Sequence, residues 1–355
     1  MKTNHNNFIK LAFNLAKINL GKTKSNPSVG CVVVKNDSVI SSGFTSVNGR
    51  PHAELNSLKK KVNYKNADLY TTMEPCTHFG QTPPCTNIIK KKGIKRVFYS
   101  FNDTDIRTAN KAKNILKEKK IIVKKLSNIN FKDLYDSYFL SKNGTPLIDA
   151  KIATTKDYMT INRGSKWITN LSSRKRAHLL RSEYDCIIST SKTINKDNAL
   201  LNCRLKGFNE NKPDLIIIDL NYKIKKNLDL FKKFKKRKIY IINLLSKNRK
   251  KFSTKNKNIK FIYLNSLKNE ENFKKLFKIL YEKGYNRILV ESGLTFLNEL
   301  FRFKLIHNLY MFKSSIKLLK KGRNNASNSI IKSFKLNNRI KINLKEDKLY
   351  KIKIK

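Results

Sequence analysis

Four residues of the amino-terminal third could form a zinc centre. His52 and Glu54 lie in the segment GRPHAE, and Cys76 and Cys85 enclose the segment THFGQTPP. A neutral imidazole and two thiolates are ligands that zinc prefers, and a catalytic zinc keeps three protein ligands and an open position for water. We expect Glu54 to stand beside the metal as a general base and then as a general acid.

Helix starts are expected to position these side chains. Pro51 precedes His52 and Pro84 precedes Cys85, and this order is typical of the first turn of a helix. The dipole at a helix start favours the Cys85 thiolate. The joint His-x-Glu and Pro-Cys pattern is the arrangement of zinc-dependent nucleobase deaminases. In deaminases that act on polynucleotides the two cysteines are usually separated by two residues, whereas eight separate them here.

The residues around this pattern alternate helix-like and strand-like segments up to about residue 145. Strands are predicted at 29–35 and over the segments SVISSGFT, DLYTTM and KRVFYSF. A first helix is predicted at about 8–20, with an apolar face of Phe8, Leu11, Leu15 and Ile18. These elements predict a sheet covered by helices.

Turn residues in the segment SKNGTPLIDAKIA place a domain boundary near 142–146, so we predict two α/β domains, 1–145 and 146–355. The second domain has strand-like segments CIIST, DLIIIDL, KIYIINL, NIKFIYL and RILVESG, and a helix over 270–284. Alternation on both sides of Glu346 and Asp347 predicts a terminal hairpin. The domain has no G-x-G-x-x-G segment, so a Rossmann cofactor site is not supported.

Three segments of the second domain carry polar or aromatic residues that could bind ligands. The segment RGSKWIT holds the single Trp, and STSKTINKDNALLNCRL follows a strand as a polar loop. The segment RILVESG puts Glu291 at a strand end and Gly293 at a helix start, where backbone N–H groups can bind phosphate. Each segment alone can also be explained without a ligand: the Trp as a core residue, the Asp of the polar loop as a helix cap, and the segment RILVESG as the turn after a strand.

Composition bounds the class of protein. The 355 residues carry 77 Lys and Arg against 25 Asp and Glu, a net charge of +52. Compositional drift towards lysine on solvated faces and a polyanionic partner both explain this charge. Five cysteines without disulfide-scaffold spacing, and no apolar run near the ~20 residues of a membrane span, predict a soluble protein of the reducing cytosol with no membrane partner.

The segment PCTHFGQTPPC resembles the motif of the riboflavin-biosynthesis deaminase, the amino-terminal half of a bifunctional deaminase and reductase. The segments NPSVGCVVV and GRPHAE resemble the same family. The resemblance implies a cytidine-deaminase-like domain with zinc bound by His52, Cys76 and Cys85. It also implies a phosphorylated pyrimidine substrate, whose ring Asn26 and His78 hold while Glu54 assists displacement of its exocyclic amine.

The second half resembles the reductase of that bifunctional protein, which implies a dihydrofolate-reductase-like fold and NADPH as cofactor. Hydride transfer to the ribosyl carbon would open the ribose to a ribityl chain. The residues that the resemblance places at the cofactor are Ala153, Trp167, Thr193, Asp197 and Gly293. Those that it places at the substrate are Ser165, Arg181, Leu201, Arg204 and Glu291.

Three alternatives stay open on sequence grounds. Tyr158 and Leu220 depart from the family pattern, so a deaminase with a decayed reductase half is one. The net charge favours a nucleic-acid base deaminase, which the cysteine spacing and the large second half disfavour. A structural zinc module would need a fourth protein ligand, for which His78 is the nearby candidate. Whether the chain forms a homo-oligomer is also left open.

Overall fold

A Thr-Pro junction divides the chain into two units, Met1–Thr145 and Pro146–Lys355. The computed structural model describes residues 4–127, 131–209, 212–233, 236–245 and 256–355. All five cysteines are free. Within the described residues, no helix combines the length and the apolar character needed to cross a membrane.

The first unit is a five-stranded sheet with helices against it. Its elements are α1 His5–Ala16, β1 Gly30–Lys35, β2 Ser38–Phe44, α2 Ala53–Leu58, β3 Asp68–Met73, α3 Cys85–Lys91, β4 Arg96–Phe101, α4 Ala112–Lys117, β5 Ile122–Lys125 and α5 Asp136–Lys142. The strand order is β2-β1-β3-β4-β5. The strand β3 pairs antiparallel with β1 and parallel with β4, and every one of its residues is buried.

The buried face of α1 agrees with the predicted one only in part, since Phe8 and Leu15 pack against the core but the other two predicted residues do not. Leu11 and Ile18 are 39% and 49% exposed, whereas the buried residues of the helix are Ile9, Ala12, Phe13 and Ala16. The reason is a close approach to β1, because a β-carbon on Gly30 would lie 1.9 Å from the carbonyl oxygen of Ala12. Small residues on α1 and β1 allow this contact, whereas the prediction was based on the large apolar side chains of the helix.

The second unit is built on an eight-stranded sheet. Its elements are β6 Leu147–Thr154, β7 Ile161–Asn162, α6 Leu171–Arg181, β8 Cys186–Thr190, α7 Ser191–Asp197, β9 Asp214–Ile218, α8 Asp229–Lys233, β10 Ile239–Leu244, β11 Ile259–Leu264, α9 Glu270–Glu282, β12 Arg287–Val290, α10 Leu294–Arg302, β13 Asn308–Lys313, β14 Gly322–Arg323, α11 Ser329–Ser333 and β15 Lys348–Lys353. The strand order is β11-β10-β9-β8-β12-β6-β13-β15, and the strands are parallel except at the β13–β15 pair.

Both faces of this sheet are buried. Along β9, Leu215 and Ile217 pack into one apolar cluster, and Ile216 and Ile218 pack into another on the opposite face. Such continuous apolar strands are typical of parallel sheets covered on both sides. The carboxyl ends of β6, β8 and β12 are therefore neighbours at one edge of the sheet, where polar side chains can gather.

Two local predictions for the second unit were wrong. Thr193 and Asp197 lie on the helix α7 rather than in a polar loop, since the Thr190 side chain accepts a hydrogen bond from the Thr193 N–H and caps the helix. The terminal hairpin forms only in part. The strand β15 pairs with β13, where Leu349 and Ile352 are buried, and the stretch from Arg339 to Leu344 makes isolated bridges.

Candidate active sites

The three predicted zinc ligands converge in the first unit. The side-chain ligand atoms of His52, Cys76 and Cys85 all lie within 4.8 Å of one another. The Nδ1 atom of His52 is 3.6 Å from the Cys76 sulfur and 3.4 Å from the Cys85 sulfur. Zinc–ligand distances of about 2.3 Å to sulfur and 2.0–2.1 Å to nitrogen give separations of about 3.5 Å in a tetrahedral site, so the donor set fits zinc.

Local structure produces this convergence. His52 is the N-cap residue of α2, and Cys85 is the first residue of α3. Cys76 follows the carboxyl end of the buried strand β3, and its sulfur accepts a hydrogen bond of 3.2 Å from the Cys85 backbone N–H. Hydrogen bonding by the Cys85 side chain lowers the pKa of the Cys76 thiol to about 4. The same hydrogen bond, together with burial, raises the pKa of the Cys85 thiol, so the expected preference for a Cys85 thiolate is not seen and the negative charge of the pair lies on Cys76.

Glu54 stands beside the three ligands without belonging to the cluster. Its side chain is 4% exposed, and burial raises the pKa of its carboxyl. One carboxylate oxygen accepts a hydrogen bond of 3.1 Å from the Thr71 hydroxyl, and the other lies 3.5 Å from the Cys85 sulfur. Thr71 thus orients the carboxylate, and nothing in the sequence marks this residue except its place in a buried strand.

The structure does not bring His78 into the ligand cluster. Its Nδ1 atom lies 3.0 Å from the Thr108 hydroxyl, and the metal-binding group found among the described residues does not include it. A three-residue donor set leaves an open coordination position, which is the arrangement of catalytic zinc rather than of structural zinc. Asn26, the other predicted ring-binding residue, donates a hydrogen bond of 2.9 Å to the carbonyl of Gly49.

A second polar cluster forms at the edge of the sheet in the second unit. Arg181 of α6 binds Glu291 through two hydrogen bonds, Nε to Oε1 at 2.6 Å and Nη2 to Oε2 at 3.0 Å. The Lys151 ammonium of β6 lies 3.4 Å from Glu291 Oε2. Burial alone would raise the pKa of the Glu291 carboxyl, but Arg181 and Lys151 outweigh it and lower the pKa to about 2.

Asn202 connects this cluster to Arg204. The Asn202 carbonyl accepts hydrogen bonds from His178 Nδ1 at 2.9 Å and from Arg181 Nη1 at 3.2 Å. Because a carbonyl only accepts, Nδ1 of His178 carries the proton, and its Nε2 can accept from the Arg204 guanidinium at 3.3 Å. Burial, with the charges of the two arginines, lowers the pKa of His178 to about 4 and keeps its ring neutral.

The cluster thus joins three predicted residues of the second unit, Arg181, Arg204 and Glu291, to three that the sequence analysis missed, Lys151, His178 and Asn202. Lys151 could have been found, because a lysine in a run of apolar strand residues is unusual. Asn202 contributes its backbone carbonyl, which no sequence pattern marks.

Other predicted residues lie apart from this cluster. The Leu201 side chain packs in the apolar core, 8% exposed, so a substrate contact there would use its backbone. Gly293 is the N-cap residue of α10. Trp167 is 51% exposed and stacks under the Arg174 guanidinium rather than in the core. Ser165, on the same exposed stretch, accepts a hydrogen bond from the Trp167 N–H. Ala153 lies near the carboxyl end of β6.

Acid should weaken the second unit through Glu291. Its pKa in the folded chain is about 2 against an ordinary 4.5, which corresponds to roughly 3 kcal/mol of stability. Because the folded pKa is lowered, this contribution is complete above pH 4.5 and is lost as the pH falls towards 2. Denaturant unfolding at pH 6, 4 and 3 should show wild type and Glu291→Gln converging in stability. A difference in unfolding free energy between the two proteins that stays constant with pH would contradict this prediction. Glu299→Gln is the control, since Glu299 forms an exposed ion pair with Arg302, and its stability should follow that of wild type at each pH.

Family models match both units. The model for the cytidine and deoxycytidylate deaminase zinc-binding region matches residues 2–101. The model for the RibD C-terminal domain matches residues 147–318. These matches agree with the predicted order of a cytidine-deaminase-like domain followed by a reductase domain.

Relatives and solved structures span both units together. The riboflavin biosynthesis protein RibD of Aquifex aeolicus is 34% identical over 292 residues, which are 81% of this chain and 80% of the relative. RibD of Buchnera aphidicola is 32% identical over 86% of this chain and 85% of its own. The deaminase/reductase structure from Thermotoga maritima is 25% identical, with a TM-score of 0.82 and 99% coverage of both chains.

Proposed function

This chain belongs to the RibD family of riboflavin biosynthesis proteins, and we propose that its two units act in turn on one phosphorylated pyrimidine. The protein is a bifunctional zinc-dependent deaminase and NADPH-dependent reductase. Met1–Thr145 is assigned the deamination and Pro146–Lys355 the reduction of the ribosyl group to a ribityl chain. The relative from Thermotoga maritima is a diaminohydroxyphosphoribosylaminopyrimidine deaminase and 5-amino-6-(5-phosphoribosylamino)uracil reductase, which supports this substrate.

The observation that carries the deaminase assignment is the triangle of His52, Cys76 and Cys85 with a buried carboxylate beside it. When bound, zinc lowers the pKa of a water molecule in its open position. Glu54 would take a proton from the attacking water as its oxygen bonds to the ring carbon, and would pass that proton to the exocyclic nitrogen, whose bond to the same carbon breaks as ammonia leaves. Its raised pKa, caused by burial, suits a group that must both take and return a proton.

In the second unit, NADPH supplies the hydride that reduces the ribosyl carbon. We assign the cofactor to the edge formed by the carboxyl ends of β6, β8 and β12, where Gly293 opens α10 without a side chain. Phosphate binding is assigned to Arg204, which is exposed, whereas Arg181 is buried against Glu291. Glu291 then holds Arg181 and Lys151 in place at the floor of the site.

A coupled assay tests the whole proposal. Purified wild-type protein, supplied with zinc and the phosphoribosylamino-pyrimidine, should release ammonia and then oxidise NADPH. Ammonia without NADPH oxidation would support the alternative of a decayed reductase half, against which the assembled Arg181–Glu291–Lys151 cluster argues. No ammonia from zinc-loaded protein would reject the deaminase assignment.

Replacing Arg204 by Ala should raise the KM for the deaminated pyrimidine by about tenfold and change kcat little, because a phosphate contact acts alike on ground and transition states. Steady-state NADPH oxidation measures this, and ammonia release should equal wild type. Arg302→Ala is the matched control, since Arg302 is an exposed arginine of the same unit that pairs with Glu299. Equal KM values for wild type and Arg204→Ala would show that Arg204 does not bind the substrate.

Family membership favours a small-molecule substrate over a nucleic-acid base, although the charge of +52 kept the latter open on sequence grounds. The cytoplasmic location and a homo-oligomeric state stay predictions.

A further inference from the structure

Arg237 is an arginine without access to solvent. Its relative exposure is 0%, and its side chain is the largest of those that are fully buried among the described residues. Burial lowers the pKa of its guanidinium to about 9, and the nearby charges of Arg181 and Arg204 act in the same direction, while Asp214 opposes them. Burying a charge costs free energy unless the charged group is paired or hydrogen-bonded.

Backbone carbonyls of two chain segments accept the hydrogen bonds of this guanidinium. Its Nε donates to the carbonyl of Pro213 at 2.8 Å. Its Nη2 donates to the carbonyl of Leu201 at 2.7 Å, and its Nη1 donates to the carbonyl of Leu200. Only a planar fork with several N–H groups reaches three carbonyls at once, and a lysine ammonium lacks that geometry.

The held segment adjoins the reductase site. The carbonyl of Asn202 is bound by His178 and Arg181, so three consecutive carbonyls, those of residues 200–202, are fixed by side-chain donors from other parts of the chain. The Asn202 side chain then accepts a hydrogen bond of 2.7 Å from Arg204 Nη1. The position of Arg204 therefore depends on the backbone of this segment.

The segment is also strained. Leu201 has φ of +48°, in the left-handed region that a residue with a branched side chain rarely adopts. Such a conformation persists only where the surroundings impose it. Arg237 and the burial of the Leu201 side chain are the constraints that the structure provides at this residue.

We propose that Arg237 is a positioning residue of the reductase, which holds the backbone of Leu200 and Leu201 in the strained conformation that presents Arg204 to the phosphorylated substrate. This inference rests on the proposed function of the second unit. Without the guanidinium, three buried carbonyls lose their donor, Leu201 relaxes towards a common backbone conformation, and Arg204 moves off its position.

Arg237→Ala and Arg237→Lys test this proposal in the full-length protein. Both should raise the KM for the deaminated pyrimidine by about tenfold or more, since displacements of about 1 Å have large effects on positioned groups. Ammonia release should stay at the wild-type rate. Free guanidinium at low concentration should restore the KM of Arg237→Ala, because it can occupy the vacated space and donate to the same carbonyls, and it should leave wild type unchanged.

Hydrogen exchange of the backbone amides of residues 200–204 measures how firmly this segment is held, independently of any enzymatic activity. Exchange should accelerate in Arg237→Ala and slow again with guanidinium, and unchanged exchange would overturn the proposal. Wild-type protein that releases ammonia but fails to oxidise NADPH would count against the proposed function of the second unit, and the exchange measurement would still decide the role of Arg237.

Arg287 provides the matched control. It is a buried arginine of the same unit whose Nε donates to the carbonyl of Glu183 at 2.7 Å. Arg287→Lys should lower Tm without changing the reductase KM. If it raises the KM as much as Arg237→Lys does, the effect reflects general loss of stability, and Arg237 has no positioning role. Should Arg237→Ala fail to fold, Arg237→Lys carries the kinetic and exchange comparisons.

Discussion

Replacing Glu54 by Gln should lower the rate of ammonia release by about 10²–10⁴-fold, the usual contribution of a general acid–base group. The amide keeps the shape of the side chain and can still bind the Thr71 hydroxyl, but it can neither take the proton of water nor return one to the leaving nitrogen. Zinc content, measured by metal analysis, should match wild type, because Glu54 is not among the three ligands. Reduction of the deaminated substrate should be unaffected.

Glu74→Gln is the control for this variant. Glu74 is also a buried glutamate of the first unit, but its carboxylate accepts hydrogen bonds from the backbone N–H groups of Asn110 and Ala112. Its replacement should lower Tm and leave ammonia release per folded, zinc-loaded molecule within about threefold of wild type. Normal deamination by Glu54→Gln would show that Glu54 is not the proton carrier.

Replacing Cys85 by Ser should remove zinc and with it all measurable deamination. A serine hydroxyl is a poor zinc ligand beside a thiolate, and the remaining His52 and Cys76 cannot hold a catalytic zinc alone. Metal analysis and ammonia release test this directly. NADPH oxidation with the deaminated pyrimidine should persist, because the residues assigned to reduction all lie in the second unit.

Cys31→Ser is the matched cysteine control. Cys31 is a fully buried residue of β1 that lies 3.2 Å from the Ser57 hydroxyl, outside the ligand cluster. The Cys31→Ser variant should be less stable than wild type, because it buries a hydroxyl group, and it should bind zinc as wild type does. If Cys85→Ser abolishes reduction as well while the protein stays folded, the assignment of two independent sites is wrong.

The candidate zinc site of the first unit could be predicted from residue types and spacing alone. His52, Glu54, Cys76 and Cys85 are recognisable because metal ligation and proton transfer need specific side-chain types, and helix-starting prolines mark where two of them lie. The order of a deaminase-like domain and a reductase domain followed from motifs of the same kind, and the family models confirm it.

Features that depend on close packing and on backbone groups could not be predicted before the fold was known. The buried face of α1 is set by the contact between Ala12 and Gly30, which the hydrophobic pattern of the helix does not encode. In the second unit, the strand order brings Lys151 beside Glu291 from distant parts of the chain.

The backbone contacts that position Arg204 could not be predicted from the sequence either. They are made by the carbonyls of residues 200–202, held by Arg237, Arg181 and His178. Every residue carries a carbonyl, so side-chain identity cannot indicate which carbonyls a fold will bury and which donors will reach them. Side-chain chemistry can therefore be recognised from residue types and spacing, whereas the placement of backbone acceptors arises only once the chain is folded.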